Sequence, residues 1–406
     1  MNVLRYGTDS AVALDFEEGV LLADCGHPAG KPLDHLEKAV AAALDDPLAY
    51  PALSRCTTPS DRVVLALDHG VPQAAQVTAA VVRSLVNARV HPDGITLLQS
   101  RPNGYSPVED PCRLLQEPVR SQITLATHAP ADREQLGYLG ADTSGEPILV
   151  NRAIHDADLV LPIGCVHSDA ASGYFGIHTP VFPTFSDERT LQRFRTIGAL
   201  DPRRDYEQKL AKKVEEVAWL LGISFTIQLV PAGGASILHV LAGQCDAVGQ
   251  RARELYHTAW NGSVSEQASL VVAAIEGDSD QQTWVNIGRA LDAAVPLVED
   301  GGAIAVCCDL AARPGPVLRR LSRSESRQAT LRQIGKERPE DTLIAGQLAR
   351  ALDCAKIYLL SRLEPSLVEE LDMIHVASGK ELARLAGHHK SCILLANAPY
   401  ATVKLK

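Results

Sequence analysis

No C-x-x-C pair occurs among the nine cysteines of this 406-residue sequence, and an odd number cannot close into a full disulfide set. Reduced thiols in a cytoplasmic protein are therefore the expectation. No apolar run approaches the ~20 residues that a membrane span needs, and MNVLRYGTDSAVALDF lacks the basic segment and apolar core of a signal peptide. Basic residues are outnumbered, 39 Lys and Arg against 49 Asp and Glu, for a formal charge of -10. That balance argues against nucleic acid and anionic membranes as partners, since both need a clustered basic surface. The run Lys209 to Lys213 is too short and too interrupted by apolar residues to supply one. Neither G-x-G-x-x-G nor G-x-x-x-x-G-K-[ST] occurs, so Gly233-Gly234 and Gly301-Gly302 read as turns rather than phosphate loops. H-x-x-x-H is missing, and the one E-x-x-H, Glu254 with His257, has no counterpart on a second helix. There are no internal repeats and no low-complexity tracts.

What is present describes a globular α/β chain. Apolar residues make up 46% and charged residues 22%, and the length exceeds one ordinary core, so two domains are expected. Val3 to Tyr6 and Ala11 to Phe16 suggest an opening β-hairpin. Arg62 to Leu67, Ala74 to Ala88 and Ile95 to Leu98 then read as strand, helix and strand, the unit of a parallel sheet. The alternation resumes beyond Gly243, with strands at Ser269 to Ile275, Gly302 to Cys308 and Ile357 to Leu360. The expected architecture is two doubly wound α/β domains with mostly parallel sheets and an interdomain cleft. They would span residues 1–245 and 246–406, with the last strand free to return to the first domain.

The chain is organised around Ala157 to Pro183, an apolar strand that Gly164 stops and a loop crowded with Cys165, His167, Ser168, Asp169, Gly173 and His178. Open α/β sheets bind ligands beyond the carboxyl ends of their strands. Asp68-His69-Gly70 follows another strand, where Asp68 could face a ligand or cap the next helix. His128 ends a third. Imidazoles at the ends of parallel strands would share one edge and could act as acid and base or as metal ligands. Glu276 to Asp280 would face that edge from the second domain and close a cleft, or else form a solvated helix cap.

These residues, in this order, resemble the nickel-pincer lactate racemase family. The likeness runs through Asp68-His69, Leu139-Gly140 to Asn151-Arg152, Ala157-Asp158-Leu159, Gly164 to His167, Asp280 to Trp284 and Val298 to Ile304, roughly Leu33 to Leu310. It implies a cleft holding a nickel-pincer nucleotide that takes hydride from a 2-hydroxy acid, with two histidines as alternate acid and base. His167 matches one of them and His128 is the other candidate here. Ser100, in Gln99-Ser100-Arg101-Pro102, stands where the family has its second histidine. The family's substrate arginine is Val71, its second-domain lysine is Gly288 beside Arg289, and its tethering lysine falls in Phe175 to Thr179, which has none. The distal nickel histidine is also missing, leaving His167 and His178 as the metal candidates. The resemblance thus implies a 2-hydroxy acid racemase or epimerase with an altered site, or a cofactor-free paralogue that binds a small anion or a partner protein. Its substrate or cofactor contacts would come from Asp68, His69, Gly70, Ser100, Arg101, Gly173, His178, Asp280, Trp284 and Arg289. Oligomer formation is left open.

Overall fold

The computed structural model describes residues 2–100, 110–142, 145–168, 174, 176–200, 204–322, 330, 333 and 341–406, without the side chains of 195–200, 204–207 and 322. The chain opens with the antiparallel hairpin of β1 (Asn2–Tyr6) and β2 (Ser10–Leu14), followed by β3 (Leu21–Cys25). The first sheet is built from β4 (Val63–Leu67), β5 (Ile95–Gln99), β6 (Thr124–Thr127), β9 (Leu159–Cys165), β10 (Phe225–Pro231) and β11 (Ile237–Gln244). A separate hairpin, β7 (Leu136–Ala141) with β8 (Pro147–Asn151), interrupts that series. The second sheet uses β13 (Ala268–Ala274), β14 (Val298–Cys307), β15 (Lys356–Leu360), β16 (Ile374–Val376), β17 (Cys392–Leu395) and β3.

Strand order explains where a ligand can sit. In the first sheet it is β11-β10-β9-β4-β5-β6, parallel except for β11 at the edge. The chain starts at β4, winds outward to β5 and β6, and then returns to the other side of β4 as β9. The second sheet, β16-β15-β14-β13-β17-β3, is parallel throughout and reverses between β13 and β17. Loops diverge at such a reversal and leave a crevice outside the strand ends.

The central strands are apolar without alternation because helices cover both faces. Every residue of VVLAL in β4, FTIQLVP in β10 and ASLVVAA in β13 is buried. Each sheet has its own core, one packed about Leu65, Leu97, Ile163 and Leu229, the other about Val271, Ile304, Ile357 and Ile393.

The two units do not separate at one point of the sequence. β3 forms the ladder beside β17, and Leu4, Val12 and Leu14 of the hairpin pack on Leu270, Val272 and Ala305. Residues 2–25, expected with the first domain, therefore lie on the second sheet, where they cover an apolar face and an open edge. At the other terminus, β18 (Thr402–Leu405) pairs with β12 (Asn261–Val264), directly after the helix Cys245–Trp260 that packs on β10. No helix among the described residues is long and apolar enough to cross a membrane.

Candidate active site

The reversal points of the two sheets face one another. From the first sheet, Asp68 to Val71 follow β4, Gln99 and Ser100 end β5, and His167 follows β9. From the second, Asp278 to Thr283 follow β13 and Tyr400 follows β17. The cleft between them is lined by Asp68, His69, Gly70, Gln76, Ser100, Arg113, Asp278 and Asp280 among others.

On the first wall, Asp68 continues the sheet: its N–H donates to the Ile163 carbonyl at 3.0 Å. Its side chain does not cap the helix Ala74–Asn87, which begins at Gln73 with no side-chain cap. Instead Asp68 Oδ1 accepts from the His69 backbone N–H at 2.9 Å and lies 3.2 Å from His69 Nδ1. A carboxylate on Nδ1 holds the imidazole in the tautomer that leaves Nε2 as proton acceptor. On the same wall Ser100 Oγ and Gln76 Oε1 are buried without a partner, although a side-chain amide or hydroxyl so placed ordinarily finds one.

The opposite wall supplies a partly buried carboxyl group, Asp280. Burial raises the pKa of Asp280, Asp278 adds to the rise, and Arg113 opposes it. A carboxyl group pushed this way favours its protonated form. Its backbone N–H donates to Asp278 Oδ1 at 3.2 Å, which fixes the turn.

His167 lies behind this pair. It is buried between Tyr400, stacked at 5.6 Å and 11°, and Tyr174, edge-on at 5.9 Å. Burial, then Arg289, then His69 depress its pKa well below the usual imidazole value, so it is neutral at pH 7. Tyr400 Oη donates to Gln281 Oε1 at 2.8 Å, and Tyr256 Oη donates to the Tyr400 carbonyl at 2.5 Å. The neighbouring Cys165 thiol, pushed up to about 12 by burial, is an inert filler.

Other expected site residues fall elsewhere. His128 ends β6 but turns away from the cleft; Nδ1 accepts from Asn151 Nδ2 at 3.0 Å and Nε2 donates to the Ser186 carbonyl at 2.7 Å. With both ring nitrogens engaged and Phe185 against its ring, it is a structural histidine, and the expected convergence of three imidazoles reduces to His69 and His167. His178 is over the first sheet near Asp246, outside the cleft lining. Trp284 belongs to the second core, where its Nε1 donates to the Ala312 carbonyl at 2.9 Å. Arg289 reaches the cluster around Tyr400 rather than the cleft lining. Arg101 and Gly173 lie outside the described residues. Sequence reasoning missed Tyr400, Gln281, Gln76 and Arg113. Only Tyr400 carried a signal, as the aromatic residue of a loop that follows an apolar strand.

The lactate racemase N-terminal domain profile matches residues 6–204. Residues 6–204 belong to the lactate racemase N-terminal domain family. The solved lactate racemase apoprotein from Thermoanaerobacterium thermosaccharolyticum superposes with a TM-score of 0.78 at 16% identity, covering 99% of each chain. A Thermotoga maritima protein of known crystal structure gives 0.70 at 14%, covering 93% of this chain and 99% of its own. These likenesses fix the fold. No curated protein matches the sequence.

The residues present do not fit the family's tethered nickel nucleotide. At the position that would carry its lysine, Thr179 is buried and its hydroxyl donates to the Gly176 carbonyl at 2.8 Å. Among the described residues, no three His, Cys, Asp or Glu side chains are placed to hold a metal ion. The second-domain lysine position is closed as well, since a Cβ on Gly288 would stand 1.9 Å from Gln347 Oε1. Helix packing has taken the space a lysine would need.

Proposed function

We propose that this lactate racemase relative is an epimerase-type isomerase of a small 2-hydroxy acid or sugar acid, working by proton transfer in the interdomain cleft. One observation carries the reading: the Asp68–His69 pair stands on one wall, and a carboxyl group biased toward protonation, Asp280, stands on the other. With the α-carbon between them, His69 Nε2 takes the proton from one face and the C–H electron pair passes into an enediolate. Asp280 gives its proton to the opposite face, which inverts the centre, and the reverse reaction exchanges the roles. Arg113, close enough to act on Asp280, lowers the cost of the negative charge that develops on the substrate during the transfer. Ser100 Oγ and Gln76 Oε1 remain to bond substrate hydroxyls.

A second reading, a non-catalytic paralogue that binds a small anion, is favoured by Thr179 and Gly288 at the lost lysine positions. Chiral chromatography of enantiopure 2-hydroxy acids and sugar acids incubated with the protein separates the two. Inversion of one substrate, lost in Asp280→Asn and His69→Gln, supports the isomerase. Calorimetric binding with no inversion of any of them supports the paralogue.

A further inference from the structure

We propose that Arg289, Gln281 and His167 form a buried carboxylate-binding subsite behind the cleft, floored by the Tyr400 ring. Each of the three presents a side-chain nitrogen shut away from solvent with no partner: Arg289 Nε, Gln281 Nε2 and His167 Nδ1. Gln281 is 2% exposed and His167 8%. The contacts around them are continuous. His167 stacks on Tyr400, Tyr400 Oη bonds Gln281 Oε1, Asn286 Nδ2 lies 3.3 Å from the same oxygen, and Arg289 Nη1 donates to Asn286 Oδ1 at 3.2 Å.

Charge gives the ligand class. The Arg289 side chain is partly buried, but its Nε is enclosed without a partner, and an enclosed charged donor left unpaired is costly. Among the described residues no carboxylate forms an ion pair with Arg289, although Asp68 and Asp278 act on its neighbours Cys165 and Tyr400. Two of the three free groups are donors only, and His167 Nδ1 donates in the tautomer that an anion selects. A small planar carboxylate meets this set, because guanidinium and amide N–H groups suit its two oxygens. The acid end of a substrate lying in the cleft is such a group, and to that extent the subsite rests on the hydroxy-acid reading above.

Acetate is the probe, titrated by calorimetry into the full chain and its variants. Saturable binding is expected, weakened about 10- to 100-fold in Arg289→Met, as befits loss of a charge-assisted bond. Gln281→Met should weaken it in the same direction, which keeps the test valid if the arginine variant fails to fold. Asp280→Asn, which removes the proposed acid, should keep acetate affinity, so loss of turnover and loss of the subsite are told apart. Chloride should bind more weakly than acetate. No saturable binding, unchanged affinity in both Arg289→Met and Gln281→Met, or equal affinity for chloride would overturn the assignment.

Discussion

The ring of Tyr400 lies 11° from parallel to the imidazole of His167, with centroids 5.6 Å apart. One comes from the loop after β17 and the other from the loop after β9, so this stack joins the two sheets at their reversal points. Trp260, 5.6 Å from Tyr400, and Tyr256 close the same cluster. Replacing Tyr400 by Ala removes the wedge and should cost about 3–5 kcal/mol. Tyr400→Phe keeps the stack, leaves Gln281 Oε1 with Asn286 alone, and should cost about 1 kcal/mol. Denaturant unfolding would show the order; equal losses would mean that the stack does not hold the interface.

Gly288 offers a test with an unusual sign. Gly to Ala inside an exposed helix normally stabilises by about 1 kcal/mol. Here the added Cβ meets Gln347 Oε1 at 1.9 Å, and Gln347 is buried and held by Asp292 Oδ2 at 2.8 Å. Gly288→Ala should instead destabilise, by about 1–3 kcal/mol, as overpacking does. In a Gln347→Ala background the same change should cost much less. Additive losses in the double variant would refute the proposed clash.

His128 should leave a signature in the acid limb of stability. Burial lowers its pKa, outweighing the Ser186 carbonyl and Asp187. The unfolded chain therefore takes up the proton first as pH drops below about 6.5, and stability falls on acidification through that range. His128→Gln should be less stable at pH 7 yet lose less between pH 7 and pH 5. Parallel pH profiles would show that His128 is not held neutral.

Asp280 carries the opposite sign. Its folded pKa is raised, so its stabilising contribution is present at low pH and is lost as pH rises through that value. Asp280→Asn should be as stable as the parent in acid and more stable at pH 7. On the acid–base reading, its turnover should fall about 10²–10⁴-fold. A thermal melt that drops at pH 7 would show the carboxylate to be a structural anchor.

The fold was legible because parallel strands buried on both faces are written as unbroken apolar runs, as in Leu159 to Ile163 and Ser269 to Ile275. Glycines and polar residues mark where those runs stop, and this placed Asp68, His69 and Asp280 at strand ends. It could not tell what meets a side chain there. The fate of His128 is set by Asn151 and Ser186, which arrive from a hairpin and a later turn. The sheet that β3 joins is decided by an open edge at β17, which no local pattern records. Tyr400 reaches His167 only because the second sheet reverses between β13 and β17, a property of the whole topology.

Solvent deuterium wash-in tests the acid–base cleft most directly. The protein is incubated in deuterium oxide with an enantiopure 2-hydroxy acid that it inverts, and the α-position is followed by proton NMR. Proton transfer between His69 and Asp280 puts solvent deuterium at the α-carbon of the inverted product, and Asp280→Asn abolishes its appearance. Inverted product that keeps its original hydrogen would mean the atom never left as a proton, and the account would fail.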